Sequence, residues 1–159
     1  MIPLDSALQY IAYWGTIGSI VFTGMVYVLF KTDLVYKARD EDGKLKKNMP
    51  LSGYLAMSIV PISIIYLHVH GWSSSLKQYI LGFSDLFLIN YGLYLFLFLY
   101  DTLIIDILVL CIWRPSFIRI PDREGFTSIK HHLWTLPIGS ILGAAATLLS
   151  TSLIWFLWL

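Results

Sequence analysis

Charge is confined to two short stretches of this chain, and that confinement decides what it can fold into. Of 11 Lys and Arg and 10 Asp and Glu residues, ten lie in Lys31–Lys47 and six in Arg114–Lys130. Only Asp5, Lys77, Asp85, Asp101 and Asp106 fall elsewhere. Between them run four apolar stretches, about 7–30, 51–69, 86–113 and 133–158. At about 1.5 Å per residue each can cross roughly 30 Å of hydrocarbon. Lipid offers no partner to an unpaired backbone group, and no barrel-like alternation is visible, so each span is expected to be helical. With 57% hydrophobic and 13% charged residues, the chain carries about half the charge of a soluble domain. Soluble, disulfide-rich secreted and disordered classes are excluded. The sequence predicts an all-α polytopic protein, a four-transmembrane-helix bundle that forms a single membrane domain over 1–159.

Loop charge predicts the orientation. Six Lys and Arg separate spans one and two, four separate spans three and four, and Lys77 stands alone on the other side. Short cytoplasmic loops carry such an excess. Loops 31–50 and 114–132 are therefore expected in the cytoplasm, and loop 70–85 and both termini outside, in a cell membrane. No basic segment precedes the first apolar run, so it reads as a retained span rather than a cleaved signal. Tyr10, Tyr13 and Trp14 at one end, and Trp155 and Trp158 at the other, suit interfacial belts or plain lipid-facing bulk.

A single helix from Lys77 to Trp113 would measure about 55 Å, far beyond the bilayer. A break is expected near Gly82–Ser84, with Ser84 as N-cap. Trp72–Leu81 then becomes an outer loop or a short helix lying flat at the interface. In the first basic loop, Asp42-Gly43 is a hairpin signal, and Phe117–Pro121 has strand-like composition. A small cytoplasmic β-hairpin and a plain solvated loop both fit.

The residues that could carry chemistry are few. Asp101 and Asp106 sit roughly 20 Å and 12 Å inside from Arg114, counted at α-helical rise. An ionised carboxylate there costs about 2.5–3.5 kcal/mol unless it faces the bundle interior, is paired or is protonated. At about 100° per residue, Asn90 and Tyr94 fall within about 20° of Asp101, forming one polar stripe. Asp106 falls about 140° from Asp101 on the same α-helical count, so the two acids are not expected to share a small site without a kink. If spans three and four pack antiparallel, His132 or Lys130 is the accessible partner of Asp106.

Arg114, Arg119, Asp122, Arg123, Glu124, Lys130, His131 and His132 gather at the inner mouth. Such a cluster could hold a lipid phosphate, with Asp106 or His132 as catalytic proton carriers, or could be the topology signal alone. His68 and His70 could chelate a metal with Asp85 only if Leu67–Gly71 is extended. If it is helical they diverge, and a histidine at a helix C-terminus is the better reading. No nucleotide loop, zinc-ligand spacing, CxxC pair or other cofactor motif is present, and Cys111 stands alone. A net charge of +1 gives no field toward nucleic acid.

Gly15, Ser19 and Thr23 repeat every four residues on span one. Gly139 and Gly143 form a GxxxG on span four, beside Ser140, Ala144, Thr147 and Thr151. Such faces let membrane helices approach closely, within one bundle or in a homo-oligomer. Pro61 and Pro137 are expected to kink their spans, or Pro137 to start its own.

Asp101–Gly125 reads D-x4-D-x7-RP-x5-PDREG. With the histidines opening span four, it resembles a pattern in small uncharacterised bacterial four-span integral membrane proteins. The resemblance implies the four-span topology, marks Asp101, Asp106, Arg114 and Pro115, and carries no activity with it.

Three functions remain open on the sequence. One is a transport or ion/ligand-binding bundle that uses the intramembrane carboxylates, although four spans form a pathway poorly without oligomerisation. Another is a membrane-embedded enzyme or binder acting on a lipid head group at the cytoplasmic face. The third is a non-catalytic subunit whose charged loop docks a partner in a membrane complex. Membrane lipids are expected partners in every case.

Overall fold

The computed structural model describes residues 2–32, 34, 47–117 and 127–158, with the side chains of 56, 57 and 158 excepted. Four helices are long and apolar enough to cross a membrane. They are α1 (Leu4–Lys31), α2 (Leu51–Gly71), α3 (Phe83–Tyr100, continued by a differently wound segment, Asp101–Trp113) and α4 (Ile129–Trp158). No strand occurs among the described residues. The expected Asp42-Gly43 hairpin lies outside them, as does most of Phe117–Pro121.

Local chemistry sets the helix ends. Ser128 opens α4 by accepting from the His131 backbone N–H at 3.3 Å on Oγ and from that of His132 at 3.2 Å on its carbonyl oxygen. At the other end of the short connection, Pro115 drives the residue before it out of the right-handed helical region. Arg114 takes φ 46°, in the left-handed region that commonly closes a helix, and its N–H closes on the Val109 carbonyl at 2.9 Å. The α3 helix starts at Phe83 with Gly82 at the cap position and no side-chain cap, so the expected Ser84 cap is not formed. Pro137 lies inside α4, which begins eight residues earlier, and Pro61 lies inside α2.

Each helix packs on two principal neighbours: α3 lies between α1 and α4, and α2 packs on α4 and α1. The α2 and α3 helices touch only lightly, across the diagonal. Their connection must therefore cross the end of the bundle. It does so as a wide turn, Trp72–Leu76, that buries Trp72, Leu76 and Leu81. Trp14 of α1 pins it by donating from Nε1 to Ser75 Oγ at 2.9 Å. This segment plugs the end of the bundle with its buried side chains, while Ser73, Ser74 and Lys77 stay exposed. Tyr10 and Trp14 join the same core, while Tyr13 stays exposed.

Bulky α3 side chains seat in small-residue hollows on both flanking helices. Phe96 sits over Gly15 and Leu97 over Gly18 of α1, while Tyr94 and Phe98 sit over Gly143 and Gly139 of α4. The glycine faces thus serve the internal bundle. Tyr91, Tyr94 and Phe98 stack in succession, with centroids 6.1 and 5.6 Å apart. The large core runs from Ala7 and Trp72 to Leu93 at one end, whereas Phe30 and Leu110 form only a small cluster at the basic-loop end.

Candidate functional site

The segment Asp101–Trp113 winds with i→i+5 rather than i→i+4 hydrogen bonds. Such π-winding is rare, is normally a single turn, and is frequent at functional sites. It also changes which side chains share a face. With roughly 4.4 residues per turn, positions five apart fall about 50° apart instead of about 140°. Asp101 and Asp106 are five apart, so the winding rotates them toward one another. The expectation that they could not serve one site rested on α-helical phase, which does not hold for this segment. Asp101 lies within electrostatic reach of both Asp106 and His132.

Asp106 pairs with span four. His132 Nδ1 lies 3.0 Å from Asp106 Oδ2, with the imidazole 8% and the carboxylate 24% exposed. Ser128 fixes the first turn of α4, which aims His132 inward, while Lys130 and His131 next to it stay exposed. Asp101 makes no hydrogen bond among the described residues, in contrast to Asp106. Asp106 thus pairs with the imidazole inside an otherwise apolar span, with Asp101 in electrostatic reach of both.

Asp101 also lines a partly open cleft of about 100 Å³ between α1, α2 and α3. Phe22 and Met25 of α1, Val60 and Ile64 of α2, and Tyr94 and Phe98 of α3 are among its walls.

A second polar group lies nearer the plugged end. Tyr10 donates to Asn90 Oδ1 at 3.3 Å, and Asn90 Nδ2 donates to Thr151 Oγ1 at 3.4 Å. His68 Nδ1 lies 2.7 Å from Ser150 Oγ, which donates to the Thr147 carbonyl at 3.0 Å. A serine hydroxyl has one proton, so Nδ1–H of His68 is the donor in the first contact. Its Nε2 lies beside the Asn90 backbone without a hydrogen bond. All four helices contribute to this layer, and His68, Asn90, Ser150 and Thr151 are fully buried. His68→Leu is expected to cost about 1–2 kcal/mol, because a short buried contact is lost and Ser150 is left unmatched. Asn90→Leu, which removes only long contacts, should cost about 0.6 kcal/mol. Unfolding in mixed micelles checks the order, and a larger loss at Asn90 would reverse the assignment.

The predicted site residues thus separate. Asp101, Asp106 and His132 come together. Tyr94 shares the cleft with Asp101 but donates its hydroxyl proton to the Gly139 carbonyl at 2.8 Å. Asn90 belongs to the distant layer. Arg114 is exposed and donates from Nε to the Cys111 carbonyl at 3.2 Å; Arg119 lies outside the described residues. His131 stands edge-on to His132, with centroids 6.0 Å apart. Leu67–Gly71 is helical, so the extended form needed for chelation does not occur. His68 is in the core, and His70 is outside it, stacked on Tyr66 at 5.4 Å. Among the described residues, no three His, Cys, Asp or Glu side chains are arranged to hold a metal ion. Sequence reasoning missed His68, Ser150 and Thr151 as a network.

No protein-family model, curated protein or solved structure matches this chain.

Proposed function

We propose that this chain is a multi-pass cell-membrane protein of the transport or ion-binding class, in which Asp101, Asp106 and His132 handle a proton or a cation within the bilayer. One observation carries the reading: Asp106 and His132 pair at 3.0 Å in an apolar span, with a second carboxylate, Asp101, in electrostatic reach of both. With His132 protonated the group still holds one excess negative charge. A charge at this depth is costly, so the group tends to recruit a proton or a cation. The π-winding that brings the acids together supports the same reading, since such segments concentrate at working sites. The basic loops support an orientation with both termini outside.

Infrared difference spectroscopy on the protein in lipid tests the site. Stepping the pH should produce a carboxyl C=O band, because a site that handles protons must exchange one. The band should disappear in Asp101→Asn and move in His132→Leu. A wild-type protein without any such band would overturn the proposal.

A further inference from the structure

We propose that the cleft between α1, α2 and α3 binds a lipophilic organic cation, with Asp101 as its counter-ion; this rests on the carboxylate–imidazole reading above. The cleft is partly open and holds about 100 Å³, so an occupant would seat part of its body against the walls. Its walls are almost wholly apolar, and its polar side chains are Ser63, Tyr94 and Asp101. Two of the three are already committed. Ser63 donates to the Ile59 carbonyl at 2.7 Å and touches Met25 Sδ at 3.5 Å, and Tyr94 donates to the Gly139 carbonyl. Asp101 alone retains its full accepting capacity toward an occupant.

That inventory selects the chemistry. An anion would meet a carboxylate, with no basic side chain in the described lining to offset it. A neutral hydrocarbon would fill the walls and leave the carboxylate unmatched, which is costly in an apolar medium. A small hydrated inorganic ion would waste the walls and find one carboxylate in place of a ring of ligands. A cation with an apolar body satisfies both parts. Phe22, Tyr94 and Phe98 add aromatic faces of the kind that attract quaternary ammonium and phosphonium groups. The adjoining Asp106–His132 pair lets the site change charge when the cation leaves, because a proton can take its place.

Tetraphenylphosphonium and tetraphenylborate are matched in size and shape and opposite in charge, so they isolate the electrostatic part. Binding is measured by calorimetry on the full chain in phosphatidylcholine nanodiscs, with empty discs subtracted. The phosphonium should bind saturably and the borate should not. Asp101→Asn should weaken the phosphonium by about tenfold or more, as expected for a charge pair in a low-dielectric site. Ser63→Trp, which narrows the cleft and leaves Asp101 in place, should weaken it as well. Equal binding of both ions, or binding indifferent to Asp101→Asn, would identify a groove for lipid chains and overturn the proposal. Loss with Asp101→Asn but none with Ser63→Trp would place the cation outside the cleft and overturn it too. If the phosphonium fails to bind while the infrared carboxyl band is present, the cluster handles protons alone and only this inference falls. If both signals are missing, the functional reading falls with it.

Discussion

Gly143→Leu is expected to lower the melting temperature in detergent by roughly 6–12 °C. A side chain at 143 must occupy the space of the Tyr94 ring, three atoms of which lie where its Cβ would go. The ring cannot slide along its own helix, because Tyr91 and Phe98 stack on either side of it. It has to swing out, and its hydrogen bond to the Gly139 carbonyl goes with it. Overpacking of this kind costs about 1–3 kcal/mol, and the lost bond adds about 1 kcal/mol. For a chain of this length each kcal/mol is roughly 2–4 °C. Gly24→Ala is the matched control, since nothing lies within 4 Å of its added Cβ. It should be neutral or slightly stabilising through helix propensity. A Gly143→Leu protein that melts with the wild type would mean that Tyr94 does not fill the hollow.

What the sequence could reveal followed from what lipid enforces. Span lengths were legible because hydrocarbon thickness sets them, and the four helices fall on the four apolar stretches. The small-residue faces were legible as contact surfaces, although their partners were not. Glycine marks where another group comes close without saying that an aromatic ring will fill the space. Asp106 and His132 could be matched because a carboxylate in lipid requires a partner and a short connection makes α3 and α4 antiparallel neighbours. The convergence of Asp101 on that pair was not legible. It depends on a change of winding at Asp101, and no glycine or proline in Asp101–Trp113 announces it. His68 was misplaced for a related reason. A span of ordinary length ends near 69, which would put His68 at a helix terminus. The helical path instead continues into the wide turn ending at Leu76, and His68 is left inside the core. Ser150 and Thr151 gave no signal of their own, since serine and threonine in membrane helices commonly bond their own backbone.

His132→Leu should destabilise the bundle by about 3–5 kcal/mol, and the double variant His132→Leu/Asp106→Leu should recover most of that loss. The single change removes the base paired with Asp106 and leaves two carboxylates within electrostatic reach of each other in an apolar span. Removing one partner of a buried pair is costly because the other charge stays behind, whereas replacing both with apolar groups is often neutral. Asp106→Asn should cost less, about 1–2 kcal/mol, since the amide keeps a hydrogen bond to His132 Nδ1 and loses only its charge. These numbers separate structure from function. A carboxylate kept for packing would lose stability in every variant and leave the infrared band untouched. The proposed site predicts the opposite for Asp106→Leu/His132→Leu: a protein that melts close to wild type but whose carboxyl band has moved, because Asp101 has lost the imidazole near it. Denaturation in mixed micelles gives the coupling energy from the four-corner cycle. A coupling below about 0.5 kcal/mol would mean that the 3.0 Å contact contributes nothing to the fold and that Asp101 stands alone as the working acid.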